Sequence, residues 1–260
     1  MEAEQAPRPA VRDAEYFDRW YADMTAAPAR DAIWARALGL PAELRSTSLL
    51  PWAGIAEVAD ALRLPPGGRL VDLACGRGGY GIEVARRTGA RLIGVDFSGV
   101  ALAQARLSSA RLLPEGRAEF RVGTLEETGL PDAAVDGLMC VDAVQFGDPP
   151  LAALTECHRV LAPGGRVAVT CWELAGPPDD RVPARLHAVH LGRDLAAAGF
   201  ADVQVQDRPD WREAERALWR EVLAAPADAD EALRSAQSEG RRSLDTFDAI
   251  RRVFATATAP

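Results

Sequence analysis

Hydrophobic positions along this chain follow two spacings in turn, one of helices and one of strands. From Asp13 the apolar residues Phe17, Trp20, Tyr21 and Met24 recur at three and four, the stripe of an amphipathic helix. Ile33, Ala37, Leu38 and Leu44 predict a second helix, 49–52 a connector and 54–62 a third helix, which Pro65-Pro66-Gly67-Gly68 ends. Short apolar runs of strand length then appear at 70–73, 91–95, 118–122, 135–140 and 166–172. Helical stretches separate them, one starting at Ile82, one over 99–111 behind the cap residue Ser98, and one over 150–161. Strands alternating with helices predict a mostly parallel sheet with right-handed crossovers and helices on both faces.

Residues 173–183 read as a loop, 185–198 as a helix closed by Gly199, and 201–206 as a sixth strand. Three helical stretches, 211–223, 230–238 and 242–250, precede the alternating segment 252–258, the seventh strand. They predict a helical insertion at about 211–250, between strands 6 and 7, either at the mouth of a site or at an oligomer contact. The expected division is an N-terminal helical cap or lid at 1–64, with 1–10 a loose tail, and a core at 65–260.

Composition narrows the functional classes. At 260 residues and 48% hydrophobic content the chain can bury the core of one α/β domain. No apolar run approaches the roughly 18 residues of a membrane span, and the first residues lack the basic start and apolar stretch of a secretory signal. The expected location is the cytoplasm, with no membrane partner. A net charge of −8 speaks against a nucleic-acid partner, whose phosphates need clustered cations, and Arg86-Arg87, Arg241-Arg242 and Arg251-Arg252 read as solvated faces. All 30 cations are arginine. Without lysine, Schiff-base chemistry, the Walker phosphate loop and Tyr-x-x-x-Lys proton transfer are excluded. Cys75, Cys140, Cys157 and Cys171 form no C-x-x-C pair and read as reduced packing residues. No metal is expected, because His187 and His190 have no third ligand nearby in sequence.

The candidate chemistry sits at the turn after the first strand, Asp72-Leu73-Ala74-Cys75-Gly76-Arg77-Gly78-Gly79-Tyr80-Gly81. Glycines between a strand and a helix let a ligand approach the main chain and admit positive φ. Gly76-x-Gly78-x-x-Gly81, with Asp96 ending the second strand, also has the spacing of a dinucleotide fingerprint. Asp72 beside the loop disfavours a pyrophosphate and favours a ligand carrying ammonium and sulfonium charge.

Four motifs occur in order: Asp72-x-Ala74-x-Gly76-x-Gly78; Val95-Asp96-Phe97-Ser98; Gly123-Thr124-Leu125-Glu126 leading to Leu130-Pro131-Asp132-Ala133-Ala134-Val135-Asp136; and Arg159-Val160-Leu161-Ala162-Pro163-Gly164-Gly165-Arg166. On these, over roughly residues 67–173, the chain resembles the class I S-adenosylmethionine-dependent methyltransferases, most closely the small-molecule branch that includes quinone-biosynthesis C-methyltransferases. The resemblance implies an α/β, Rossmann-like class I methyltransferase fold with a mostly parallel seven-stranded sheet, and S-adenosyl-L-methionine as cofactor. It implies that Asp96 accepts the ribose hydroxyls, with Phe97 and Ser98 following it, and that Asp72 lies near the methionine ammonium. Ala74, Cys75, Gly76 and Gly78 would let the cofactor approach. Thr124 or Glu126 would bond the adenine amino group beside the Leu125 backbone, and Cys140, Val141 and Gln145 would run beside the methionine portion. Two positions depart from the family: Ala74 replaces a commoner glycine, and Thr124 a commoner aspartate.

N-terminal helices close over the site in related enzymes, so Trp20, Tyr21 and Trp52 read either as a lid or as plain cover for one end of the sheet. Gln145 and Trp172 are expected to face the acceptor. Asp142, His187 and His190 are the candidate proton acceptors, each also readable as a solvated side chain, while His158 reads as packing. The expected function is methyl transfer to an O, N or C nucleophile of a small molecule, by a monomer or homodimer. The lysine-free, Ala- and Arg-rich composition fits a GC-rich bacterial genome and hence a secondary metabolite. A non-methylating catalyst of cyclisation or rearrangement, or a regulator, on the same fold is the alternative. An NAD-dependent oxidoreductase is more remote, lacking the lysine.

Overall fold

The computed structural model describes residues 14–226 and 230–260, so the tail expected at 1–10 lies outside the described residues. Seven strands, β1 (Arg69–Leu73), β2 (Arg91–Asp96), β3 (Ala118–Val122), β4 (Val135–Val141), β5 (Leu161–Leu174), β6 (Ala201–Asp207) and β7 (Ile250–Thr258), form one sheet. Their order is β3-β2-β1-β4-β5-β7-β6. β1 to β5 run parallel to one another, and β7 runs antiparallel between β5 and β6.

Buried side chains of the central strands alternate between two apolar layers, as the period of two requires. Leu70, Met139, Ala168 and Phe254 face one layer, and Val71, Leu138, Val167 and Val253 the other. The crossover helices α4 (Gly79–Thr88), α5 (Gly99–Leu112) and α6 (Pro150–Val160) follow β1, β2 and β4. Among the described residues three α-helices precede the sheet: α1 (Ala14–Asp23), α2 (Pro28–Leu38) and α3 (Trp52–Leu62). β1 lies between β2 and β4, so its connection and that of β4 leave on opposite sides. That switch point opens a crevice at the carboxyl ends of the strands.

The expected insertion between strands 6 and 7 is present, but its helices are divided differently. It consists of α9 (Pro209–Ala224) and one continuous α10 (Glu231–Asp245), where the sequence suggested two helices with a break near Gly240. That glycine is a packing residue: a Cβ there would sit 3.0 Å from Trp219 Cε3. The helix expected over 185–198 is instead two, α7 (Ala184–His187) and α8 (Leu191–Ala197), because His190 leaves helical geometry to cap α8, its Nδ1 accepting from the Arg193 N–H. α6 stops one residue before Leu161, which enters the sheet opposite Val135.

The N-terminal helices and the insertion share a core with the sheet. Trp34 and Leu38 of α2, Ile55 and Val58 of α3, and Trp211, Leu218 and Trp219 of α9 belong to the cluster that covers Leu70 and Met139. Among the described residues no helix is long and apolar enough to cross a membrane.

Gly54 is where α3 admits α9: a Cβ there would lie 2.5 Å from Leu50 Cδ1 and 2.9 Å from Trp211 Cζ2. Overpacking of this kind costs about 1–3 kcal/mol. Gly54→Ala is therefore expected to lose up to about 2 kcal/mol of stability in urea denaturation, the clash outweighing the roughly 1 kcal/mol gained from helix propensity. An unchanged midpoint would show that Trp211 moves aside freely.

Candidate active site

A cavity of about 930 Å³ opens at the carboxyl ends of β1, β2, β3 and β4. The strand ends supply Ala74, Asp96 with Phe97, Gly123 to Glu126, and Val141 with Asp142. Helix α1 covers them with Phe17, Trp20 and Tyr21. Its attachment is specific: Asp18 Oδ1 accepts from Ser98 Oγ at 2.5 Å and from the Val100 N–H at 3.3 Å, and Gln104 donates to the Tyr21 carbonyl at 2.9 Å. The Phe17 ring lies 5.3 Å from Phe97 and 6.0 Å from Phe146, an aromatic roof over the crevice.

Asp96 is buried at the cavity wall, its Oδ2 accepting from Gly76 N–H at 2.8 Å and its Oδ1 from Ser98 N–H at 2.9 Å. Burial pushes its carboxyl up, against the pull of these N–H donors. Ser98 itself is fully buried and caps α5, accepting from Ala101 N–H at 3.1 Å, so it supports the wall without lining it.

Asp72 does not share that cavity. Its Oδ2 accepts from the Gly81 N–H at 3.1 Å, at the start of α4, where the helix dipole favours a carboxylate. It lines only a small adjoining cleft with Ala74, Cys75 and Ser48. Asp72 thus stands behind the loop, in a cleft that shares Ala74, Thr47, Ser48 and Val141 with the cavity wall, and not in the cavity lining itself. The glycine loop is likewise filled mostly by protein. A Cβ at Gly81 would lie 2.5 Å from Asp72 Oδ2, one at Gly79 2.3 Å from the Arg45 carbonyl oxygen, and one at Gly76 2.6 Å from the Tyr21 hydroxyl. Ala74 takes the left-handed φ of +59° at the position where the family has a commoner glycine.

Other expected site residues divide by location. Thr124, Leu125, Glu126, Val141, Gln145 and Trp172 line the cavity. Thr124 Oγ1 is held in its own turn by the Glu127 N–H at 3.0 Å, and Glu126 Oε1 accepts from Asp148 N–H at 3.0 Å. Gln145 donates to the Asp142 carbonyl at 2.7 Å. Cys75, Gly76 and Gly78 fall outside the cavity lining, and Cys140 is buried in the apolar layer because β4 turns it away. Trp52 is also outside, at the start of α3, with the Arg87 guanidinium 4.4 Å from its ring centre, so it is not part of the roof.

None of the three candidate proton acceptors is free at the cavity. His187 and His190 are exposed and absent from the lining, the first with Nε2 3.2 Å from the Asp179 carbonyl, the second capping α8. Asp142 lines the cavity but is saturated. The Arg252 Nη2 reaches both its oxygens at 2.6 and 2.8 Å, Thr170 Oγ1 donates at 2.6 Å and Leu49 N–H at 2.9 Å. Arg252 is fully buried, which corrects its reading as part of a solvated pair. Among the described residues no three His, Cys, Asp or Glu side chains group to hold a metal, and the four cysteines are unpaired.

Sequence reasoning missed the far end of the cavity, built by α2, α9 and α10. Arg30, Trp34, Glu215 and Trp219 line it together with Trp172. Arg30 is buried with its guanidinium 3.7 Å from the Trp34 ring centre and donates to the Ser46 carbonyl at 2.9 Å. Burial lowers its pKa to about 10. Glu215 is buried and accepts from two indole N–H groups, Trp172 at 2.8 Å and Trp219 at 3.2 Å. A signal was available: Trp211, Glu215, Leu218, Trp219 and Val222 place one acid on the apolar stripe of α9.

Two predictions follow from this wiring. Removing one partner of a buried ion pair costs about 3–5 kcal/mol, because the other charge is left alone. Arg252→Ala is expected to lose about that much in urea denaturation, and the double change Arg252→Met with Asp142→Leu to lose clearly less. Burial pushes the Asp72 carboxyl up to about 7, with the Gly81 N–H pulling against it and Asp96 adding to the rise. The folded chain then holds a proton that the unfolded chain releases near pH 4. The resulting stabilisation is complete below that pH and lost as pH rises through about 7. Asp72→Asn keeps an acceptor for Gly81, so its stability relative to the wild type should improve progressively as pH rises through that window, as read from unfolding midpoints.

Residues 71–169 match the family described as Methyltransferase domain. An O-methyltransferase of Aspergillus nomiae is 30% identical over 167 residues, 59% of this chain and 73% of its own. An O-methyltransferase of Pyrenophora dematioidea is 27% identical over 162 residues, 58% of this chain and 61% of its own. In three dimensions, phosphoethanolamine N-methyltransferase 2 of Haemonchus contortus in complex with S-adenosyl-L-methionine aligns with a TM-score of 0.75 at 19% identity, over 98% of this chain and 61% of that one. The chain thus spans less than two thirds of the length of two of these three proteins. The sheet order, the crevice at its switch point and these similarities together establish that the chain belongs to the class I S-adenosylmethionine-dependent methyltransferases.

Proposed function

We propose that this protein transfers the methyl group of S-adenosyl-L-methionine to a small acceptor held at the far end of the cavity. The observation that carries the reading is continuity: one cavity joins Asp96, Phe97 and Leu125 at the strand ends to Trp34, Trp172, Glu215 and Trp219 beneath the insertion. A cofactor and an acceptor need adjoining sites in one water-poor space, and this cavity has the volume for both.

The residues at the strand ends suit the cofactor. Each Asp96 oxygen has one N–H donor and retains capacity to accept a ribose hydroxyl. Phe97 and Leu125 offer apolar faces for a purine, and Thr124 and Glu126 lie on the same rim. When bound, the cofactor supplies a methyl group activated by its positive sulfur. The chain's own contribution is to exclude water with α1 and to hold the acceptor in line. Positioning of that kind lowers a barrier by about 7–11 kcal/mol at its most effective. The acceptor end is walled by side chains from α2, β5, α9 and α10, which suits a small molecule. A metabolite of secondary metabolism fits that size and the composition of the chain.

Isothermal titration with S-adenosyl-L-methionine and S-adenosylhomocysteine tests the cofactor site. Hydrogen bonds to a charged group contribute about 1.5–3 kcal/mol, so Asp96→Ala should weaken both ligands by roughly tenfold to a hundredfold or more. No heat of binding at millimolar cofactor, in a protein shown folded by circular dichroism, would remove the reading.

A further inference from the structure

We infer that Glu215 is the proton acceptor of the reaction and that the acceptor molecule is a planar hydroxyl compound, a phenol or an enol, lying between Glu215 and Arg30. The inference rests on the methyl-transfer reading and adds to it the acceptor chemistry and the residue that takes the proton.

The geometry is that of an oriented but unsaturated carboxylate. Each Glu215 oxygen accepts one indole N–H, Oε2 from Trp172 at 2.8 Å and Oε1 from Trp219 at 3.2 Å. A carboxylate has about four lone-pair sites, so each oxygen retains acceptor capacity at the cavity wall. Asp142, by contrast, has its oxygens taken up by Arg252, Thr170 and Leu49. The cation nearest Glu215 is Arg252, whose Nη1 stands 3.9 Å away while its Nη2 is committed to Asp142. Glu215 therefore has an orienting shell and a counter-ion that it shares with Asp142 and does not hydrogen-bond. Burial raises its pKa, Asp142 adds to the rise, and Arg252 with the two indoles opposes it. A carboxylate so placed is a better base than one in water.

The acceptor class follows from what stands opposite. Trp219 holds Glu215 and packs edge-on against Trp34, their ring centres 5.8 Å apart, and Trp34 carries the Arg30 guanidinium on its face. Arg30 is buried and lines the same cavity. Indole walls suit a flat molecule. The Arg30 Nη1 is taken up by Asp31 at 3.1 Å and the Ser46 carbonyl at 2.9 Å, and the other N–H groups of the guanidinium repel an ammonium and favour an oxygen acceptor. The acceptor O–H bond breaks with its pair left on oxygen, and the proton goes to Glu215. The oxygen pair forms the new bond to the methyl group as the methyl–sulfur bond breaks with its pair left on sulfur. Sulfonium and carboxylate charges are both neutralised, so the buried site ends the step with less charge than it began.

Two measurements on the full chain test this. First, tryptophan emission of the protein saturated with S-adenosylhomocysteine is followed over roughly pH 4 to 9, around and above the ordinary glutamate range. The wild type should show an inflection from Trp172 and Trp219 that is absent in Glu215→Gln. No inflection, or the same one in the variant, overturns the proposal. Second, labelled S-adenosyl-L-methionine is offered with a panel of one- to three-ring phenols and enols beside the matching anilines. The wild type should methylate hydroxyl compounds. Glu215→Gln should lose kcat by about a hundredfold or more, with KM within threefold, cofactor Kd unchanged, and the acidic limb of the kcat pH profile gone, while Glu215→Asp recovers part of kcat. Retention of kcat within threefold, or transfer to anilines and to no phenol or enol, overturns it. Failure of the wild type to bind cofactor at all would strike the underlying methyltransferase reading instead.

Discussion

The buried pair of Asp142 and Arg252 sets the floor on which the site is built. It joins the end of the parallel strand β4 to the antiparallel strand β7, and Arg252 is wholly removed from solvent. Taking two charges out of water is expensive, and the pair is tolerable because Asp142 collects donors from both flanking segments, Thr170 in β5 and Leu49 before α3. The same guanidinium lies 4.0 Å from the ring centre of Trp172, whose indole reaches Glu215, which in turn holds Trp219. One ion pair thus connects the sheet, the N-terminal segment and the insertion, and fixes where the aromatic end of the cavity stands.

That arrangement divides the cavity into two ends of different origin. The strand ends come from the repeating strand-helix units and expose main chain, Asp96 and small side chains. The opposite end comes from helices added before the first strand and after the sixth, and presents large rings with Arg30 and Glu215 among them. α1 unites the two ends from above, tied to α5 through Asp18, Ser98 and Gln104.

Charge is handled in two ways, by exposed pairs such as Arg36 with Glu221 and Arg19 with Glu15, and by enclosure near the site. Asp31 accepts from both Arg30 and Arg77 and so ties α2 to the loop after β1. Asp72, Asp96 and Glu215 are all buried carboxyls raised by loss of water; main-chain N–H groups hold the first two, and two indoles with the Arg252 Nη1 at 3.9 Å hold the third. An acidic chain can in this way keep proton-binding groups inside that its net charge does not reveal.

Local pattern was enough for the elements that repeat. The apolar runs at 70–73, 91–95 and 135–140, the cap at Ser98 and Asp96 at a strand tip are short-range features, and each stands where the spacing placed it. Helix ends were less legible where tertiary contact overrides propensity. Gly240 continues a helix because Trp219 needs the space, and His190 breaks one by capping its successor. The sequence by itself determined the strand-helix alternation of a mostly parallel sheet and the family, because these follow from periodicity and from residues within one strand-turn-helix unit, whereas the strand order and its switch point came from the tertiary structure. Only the tertiary structure decided that Asp72 turns to Gly81, that Asp142 is saturated by Arg252, that both candidate histidines are outside, and that Glu215 meets Trp172. Those outcomes rest on contacts between residues up to 110 positions apart, and no pattern along the chain records which distant partner satisfies a buried group.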